Sequence, residues 1–265
     1  MEVKKIGMKI EICVPSYRRP KVKTLQYVPW AKVYVDEGEA EQYRAANAGA
    51  NIIAVRHGIQ GNLCRIRNYI LDTEFSAGAD GVVILDDDYK DIGVWQGEKG
   101  GTLKRVKIET GDLMAWLEKY FTLCEEWGFK MWGLNVSDDR MNYSETAPFS
   151  TVSYLGGPFQ AFLPNPLRYD ERLPLKEDYD MTLQHLLKYR GVMKLNFASY
   201  VVEQCSNVGG CATYRNMERE KEQFEALQRK WGSKIVKTNK GRSSKSKKRQ
   251  EYYINPSLSI PIKGV

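Results

Sequence analysis

The segment Val82-Val-Ile-Leu-Asp-Asp-Asp88 is an apolar run that ends in three successive acids. That pattern describes a buried strand delivering carboxylates to the carboxyl edge of a sheet, where open α/β sheets bind their ligands. In extended chain, side chains two residues apart share a face. Asp86 and Asp88 can therefore converge on one ion while Asp87 points elsewhere. Hard divalent cations such as Mn²⁺ or Mg²⁺ prefer such oxygens and share their coordination with phosphates. An acidic loop in which Asp88 caps the next turn is the other reading of the same residues.

Further groups suited to a nucleotide cluster at predicted strand ends. Pro15-Ser16-Tyr17-Arg18-Arg-Pro20 puts an aromatic ring and two cations just past the first strand, where a base and its phosphates would lie. Asp36 and Glu37 close the second strand and can accept hydrogen bonds from a base or ribose. Gly61-Asn62-Leu-Cys-Arg65-Ile-Arg67-Asn68 opens a helix, whose free N–H groups and dipole favour anions. Arg65 and Arg67 add charge there, although arginines near a helix start are commonly solvated surface.

The elements that must position these groups follow from periodicity. Lys9–Ser16, Lys32–Asp36, Asn51–Val55 and Gly81–Leu85 read as strands, and 40–48 and 63–73 as helices, the second with apolar residues at 63, 66, 70 and 71. Strands alternating with helices predict an open, mixed, mostly parallel sheet flanked by helices. A helix over 111–127, strands at 131–135, 157–163 and 192–202, and helices over 179–188 and 217–231 complete the reading. The stretch 234–249, rich in Lys, Arg, Ser and Gly, reads as a mobile arm. We therefore expect one domain over 1–228 and a basic arm at 229–265.

Composition narrows the class. The net charge of +7 is unevenly spread, because residues 229–265 carry eleven Lys or Arg and one acid. Subtraction from 40 and 33 leaves 29 basic and 32 acidic residues in 1–228, a net −3. From Arg229 to Arg249 there are ten cations and no acid, a candidate phosphate-tracking arm or a merely solubilising one. The five cysteines are odd in number and form no C-x-x-C pair, which excludes zinc-ribbon and thioredoxin readings and suits reduced thiols in the cytoplasm. The apolar runs are too short to span a bilayer. The first residues lack the pattern of a secretory signal.

The series Val-Pro-Ser-Tyr-Arg-Arg-Pro, then Asp-Glu, Gly-Asn with Arg-x-Arg-Asn, and Ile-Leu-Asp-Asp-Asp resembles the nucleotide-sugar half of GT-A glycosyltransferases. More narrowly, residues 9–210 resemble the phage-type, TET-associated glycosyltransferases, thought to add sugars to hydroxymethylated pyrimidines in DNA. The resemblance implies a metal-dependent enzyme with a nucleotide-sugar donor, UDP-linked, and double-stranded DNA bearing hydroxymethylated pyrimidines as acceptor. It also implies a donor half at about 9–110 and an acceptor half at about 111–228. It makes Asp86 and Asp88 the Asp-x-Asp metal ligands, with Asp87 beside them on the donor. In Leu175-Lys-Glu-Asp-Tyr-Asp180 it makes Asp178 the general base and Glu177 its neighbour, where ordinary helix-start acids are the alternative. Gly209 and Gly210 would close over the phosphates or form a simple turn. The third metal ligand is left open, since His57 and His185 do not match the family position; Asn207 or a backbone group in 206–210 is the substitute. Phe159 and Phe162 would line an acceptor pocket or the core. A glycan or protein acceptor, and a silent DNA-binding protein, are the competing functions.

Overall fold

Alternating burial organises the chain into a central sheet with helices on both faces. The computed structural model describes residues 7–97, 101, 103–136, 138, 143, 146–203, 210–238 and 255–260. In order come β1 (Ile10–Pro15), β2 (Lys32–Asp36), α1 (Ala40–Ala46), β3 (Asn51–Val55), α2 (Leu63–Ser76) and β4 (Gly81–Leu85). A hairpin of β5 (Tyr89–Gly97) and β6 (Leu103–Lys107) leads to α3 (Leu113–Glu126), β7 (Met131–Asn135), β8 (Phe149–Ser150) and β9 (Phe159–Phe162). The chain continues through α4 (Glu177–Tyr189), β10 (Met193–Val202), α5 (Met217–Trp231), β11 (Val236–Thr238) and β12 (Pro256–Leu258).

The main sheet runs β3-β2-β1-β4-β9-β7-β10-β5-β6, with β8 also on β10. β1 lies parallel to β2 and β4, with Cys13 opposite Lys32 and Ile12 opposite Val83. β3 extends this parallel block, and β7 and β10 form another parallel pair. Among the described strands of this sheet, β5, β8 and β9 run against the rest. This is the open, mixed, mostly parallel sheet expected from the sequence.

Alternate side chains on each strand feed different cores. Ile10, Ile12 and Val14 of β1 and Val83 and Leu85 of β4 pack with Tyr43 of α1 and Leu117 and Phe121 of α3. Cys13, Val82 and Ile84 face the other way, onto Ile66 and Ile70 of α2, Met181 and Leu186 of α4, and Leu227 of α5. Cys13, Cys64 and Cys124 are buried and take part in no disulfide. No helix among the described residues is long and apolar enough to cross a membrane.

The β5–β6 hairpin was not expected, since Asp91 and Gly93 break the apolar alternation. Gly93 is there because the Arg105 guanidinium from β6 lies across it. A Cβ at 93 would stand 2.3 Å from Arg105 Cζ. Arg105 continues to Asp91 at 2.7 Å and to the Ser199 carbonyl at 3.1 Å, tying the hairpin to β10.

The expected boundary between residues 228 and 229 falls inside α5, which continues to Trp231. Trp231 Nε1 donates to Asp180 Oδ1 at 2.7 Å, and Lys230 Nζ lies 2.8 Å from the same oxygen and 3.0 Å from Asp170. The arm read from 234 onward includes strand β11, paired antiparallel with β12; residues 239–254 lie outside the described ones. At the other end of α5, Glu220 pairs with Lys176, both fully buried, and Arg215 Nε joins Glu220 at 3.1 Å. This bond anchors the residue that precedes the acids of α4. Breaking a buried pair leaves an uncompensated charge, so Glu220→Leu should lower stability by about 3–5 kcal/mol. Replacing both partners, Lys176→Met with Glu220→Leu, should recover most of that in urea unfolding. Equal losses in the single and double variants would contradict the pairing.

Candidate active site

Parallel strands bring their carboxyl ends to one edge, so the loops after β1, β2 and β4 meet there. The β1 loop is bonded to the acid triplet at several points. Ser16 Oγ donates to Asp87 Oδ2 at 2.6 Å, and Arg19 Nη1 meets Asp87 Oδ1 at 2.9 Å. Lys23 N–H donates to the Asp87 carbonyl at 3.0 Å, and Thr24 Oγ1 donates to the Asp86 carbonyl at 2.6 Å. Asp87 is therefore buried and turned back into the protein, as alternation in extended chain requires.

Asp86 and Asp88 remain partly exposed beside it. Asp86 is open to solvent on one side only, with 34% of its side chain accessible. Its carboxyl is raised by burial, against the lowering influence of Arg67, with the Asp87 charge raising it further. The Asp88 carboxyl is pushed up to about 7, first by burial and then by the charges of Asp86 and Asp87. Three carboxylates are crowded here, and Arg19 only partly offsets them.

The group that joins this edge to the rest of the site is Arg67. Its side chain is 1% exposed. Nη2 reaches Asp86 Oδ1 at 3.1 Å and donates to the Gly157 carbonyl at 2.9 Å. Nη1 reaches Glu177 Oε1 at 3.3 Å and Gln160 Oε1 at 3.4 Å. Sequence reasoning took Arg67 as added charge at a helix start and did not place it in the site. The signal was present in the spacing: 67 falls in the inward stripe formed by 63, 66, 70 and 71, so its guanidinium must enter the core. An arginine there stays charged and must find anions.

On the other side stand the first residues of α4, where acids suit the helix dipole. Glu177 is buried, and its carboxyl is held well above the usual range by burial and by the Asp178 charge, against the pull of Arg67. Asp178 Oδ2 accepts from the Tyr154 hydroxyl, and from Gly157 N–H at 3.2 Å. Its Oδ1 accepts from Tyr179 N–H at 2.8 Å. The Gly157 peptide thus contacts Arg67 through its carbonyl and Asp178 through its amide. Asp86, Arg67, Glu177 and Asp178 form one connected cluster between the end of β4 and the start of α4.

Other expected residues take different places. Pro15 ends β1, and the Arg18 guanidinium lies 4.9 Å from the centre of the Tyr17 ring. Arg18 holds a left-handed φ of 56°, and its N–H donates to Glu39 at 2.9 Å. That conformation costs a non-glycine residue roughly 1–2 kcal/mol. Asp36 is buried, accepting from Gly38 N–H at 3.0 Å with His57 Nδ1 at 3.2 Å; Glu37 accepts from His57 N–H at 3.0 Å. Asn62 caps α2 through Cys64 N–H at 3.0 Å and donates to the Glu171 carbonyl at 2.9 Å. Arg65 pairs with Glu171 at 3.0 Å and donates to the Gly58 carbonyl at 2.6 Å. The bonds of Asn62 and Arg65 thus run to the 58–62 turn and the loop before α4, and those of Arg67 to the acids.

Gly210 N–H donates to the Tyr17 carbonyl at 2.9 Å, and a Cβ there would come 3.4 Å from Arg19 Cζ. Gly210 therefore lies against the β1 loop. Gly209, Asn207 and the rest of 204–209 lie outside the described residues. His185 faces the core, with Nδ1–H donating to the Met181 carbonyl at 2.9 Å and burial pushing its pKa down to about 4. Phe159 and Phe162 are likewise buried core residues. Among the described residues, no group of three or more His, Cys, Asp and Glu side chains is disposed to hold a metal ion. An ion held by Asp86 and Asp88 would have to complete its shell with phosphates and water, as Mg²⁺-type ions often do.

The family model described as TET-associated glycosyltransferase matches residues 21–210. No curated protein matches the chain. Glucosyl-3-phosphoglycerate synthase from Mycobacterium tuberculosis, solved with Mn²⁺, UDP and glucosyl-3-phosphoglycerate, is similar at 11% identity and a TM-score of 0.48, over 88% of this chain and 84% of that one. CMP:2-keto-3-deoxy-manno-octonic acid synthetase complexed with CTP is similar at 12% identity and TM-score 0.41, over 83% and 99%. Mannose-1-phosphate geranyltransferase from Thermus thermophilus stands at 13% and 0.41, over 71% and 74%.

The crowding at Asp88 has a measurable consequence. Its carboxyl titrates near 3.9 in the unfolded chain and at about 7 in the fold. A raised acid contributes stability that is present below the unfolded value and lost as pH rises through the folded one. Without divalent ions, Asp88→Asn should therefore gain on the wild type between pH 4 and pH 8, by about 1–3 kcal/mol after allowing for solvent contact. Denaturant midpoints across that range test this. A difference that stays constant with pH would contradict it.

Proposed function

The chain belongs to the TET-associated glycosyltransferase family, and from that premise we propose that it transfers a sugar from a UDP-linked nucleotide-sugar to a 5-hydroxymethylpyrimidine in double-stranded DNA. Glycosyl transfer needs a site that handles a departing diphosphate and, within reach of it, a group that accepts a hydroxyl proton. The observation that carries the reading is the buried Arg67 bridge, 3.1 Å from Asp86 and 3.3 Å from Glu177. It keeps the acids at the end of β4 and those opening α4 in one cluster.

In this reading the base and ribose lie by Tyr17, Asp36 and Glu37, and the diphosphate lies between the β1 loop and the acids. Asp86 and Asp88 would hold Mn²⁺ or Mg²⁺, which supplies positive charge to the leaving diphosphate. Arg18 and Arg19 would add cationic surroundings on the β1 side, and Gly210, against Tyr17 and Arg19, would border the same space. A hydroxymethyl oxygen is a weak nucleophile until its proton is taken. Asp178 would accept that proton as the new carbon–oxygen bond forms at the sugar. The bond from the sugar to the diphosphate breaks, and its electron pair leaves with the phosphate oxygen.

The DNA acceptor is supported by the family and by the cationic stretch 229–249. Lys230 is already engaged by Asp170 and Asp180, so phosphate contact would fall to the other cations. A hydroxymethyl group on pyrimidine C5 projects into the major groove, where it can be met directly or after base flipping.

Incubation with hydroxymethylated or unmodified DNA and a panel of nucleotide-sugars, read by nucleoside mass spectrometry, tests the proposal. A hexose mass should appear only on hydroxymethylated DNA, with a divalent ion present, and Asp178→Asn should slow it by about 10²–10⁴-fold. No gain on either DNA while a glycan or protein is modified would move the acceptor elsewhere.

A further inference from the structure

Tyr154 lies outside the acid motifs, yet its hydroxyl makes a short hydrogen bond to Asp178. An ionised carboxylate offers about two acceptor positions on each oxygen. Asp178 Oδ2 takes the Tyr154 hydroxyl and Gly157 N–H at 3.2 Å, which fills it. Oδ1 takes only Tyr179 N–H at 2.8 Å among the described residues, so one acceptor position is left.

Both donors to Oδ2 are fixed from behind. The Tyr154 ring stacks on Tyr179 with centroids 4.2 Å apart and planes 18° from parallel. The Gly157 carbonyl is held by Arg67 at 2.9 Å. Burial raises the Tyr154 phenol well above its ordinary value, so it stays protonated and can only donate to the carboxylate. Nothing about residue 154 was singled out from the sequence, because the contact joins the loop before β9 to the start of α4.

We infer that Tyr154 is the positioning residue for proton transfer: it saturates Oδ2 of Asp178 and so assigns Oδ1 as the atom that takes the acceptor's proton. The inference rests on Asp178 being the base. The acceptor O–H breaks as its oxygen bonds the sugar carbon, the proton passes to Oδ1, and the electron pair of the cleaved sugar–phosphate bond leaves on the nucleoside diphosphate. With Oδ2 already doubly bonded, the carboxylate cannot turn to offer the wrong oxygen. A misplaced base costs rate in such a step even when binding is intact.

Tyr154→Phe keeps the ring and its stack and removes only the hydroxyl. Transfer to hydroxymethylated DNA should fall in kcat by about 10–100-fold, with the acceptor KM and the affinity for nucleoside diphosphate by calorimetry close to wild type. An unchanged kcat would overturn the inference. So would a loss of diphosphate affinity or a raised acceptor KM as large as the fall in kcat, which marks a merely structural role. Asp178→Asn separates the two levels. If that variant keeps full transfer, the base assignment itself fails and takes this inference with it. If it is inactive while Tyr154→Phe is unaffected, only the positioning role fails.

Discussion

A guanidinium buried between two carboxylates is the constraint around which this site is arranged. Arg67 enters the core from the first turns of α2 and contacts Asp86 from β4, Glu177 from α4 and the carbonyl of Gly157 before β9. Each of these elements is folded by its own apolar face, and none needs the others' acids to form. The arginine makes their relative placement matter, since a charge taken out of water must be paired and fully hydrogen-bonded. It also couples the halves of the site, because Gly157 relays the contact onward to Asp178.

The same arrangement leaves an imbalance at the other acids. Asp87 is paired with Arg19 and accepts a hydrogen bond from Ser16, and Asp86 is shared with Arg67. Asp88 is held up near neutrality by burial and its neighbours' charges, with Arg19 as the opposing influence. A site poised in this way gains from any bound positive charge, and it would be relieved by a divalent ion arriving with a diphosphate. The buried Lys176–Glu220 pair supports the opposite wall, so that α5 fixes the start of α4 from outside.

Much of the fold was legible in the sequence wherever one physical signal dominated. β2, β3, β4 and β7 have the bounds expected from their short β-branched or apolar runs, and α5 has the bounds expected from its charged 3.6 pattern. The β5–β6 hairpin was not legible, because Gly93 and Asp91 exist to serve Arg105 and interrupt the alternation that would have shown the strand. The division at 229 cuts across α5, where Lys230 and Trp231 are bonded to Asp180, about fifty residues earlier and so invisible to a local reading of charge. In the site, the carboxylates after β4 followed from the pattern of apolar run and acids, while Glu177 and Asp178 came from family resemblance. Asn62 caps α2 and Arg65 pairs with Glu171, two partners that the helix-start pattern did not foretell. Arg67 was readable from helical periodicity, but its partners were not, since nothing local links residue 67 to 157 or 177.

The central claim is that Arg67 energetically joins Glu177 to Asp86, and a double-mutant cycle in urea unfolding tests it most directly. Arg67→Met leaves the buried Glu177 carboxyl without its cation, Glu177→Gln takes one carboxyl partner from Arg67, and the double change removes the conflict between these two residues. A buried bridge predicts that the double variant loses less than the sum of the singles by about 1–3 kcal/mol. Losses that add to within about 0.5 kcal/mol would mean the two residues do not hold each other, and the bridge would not be what assembles this site.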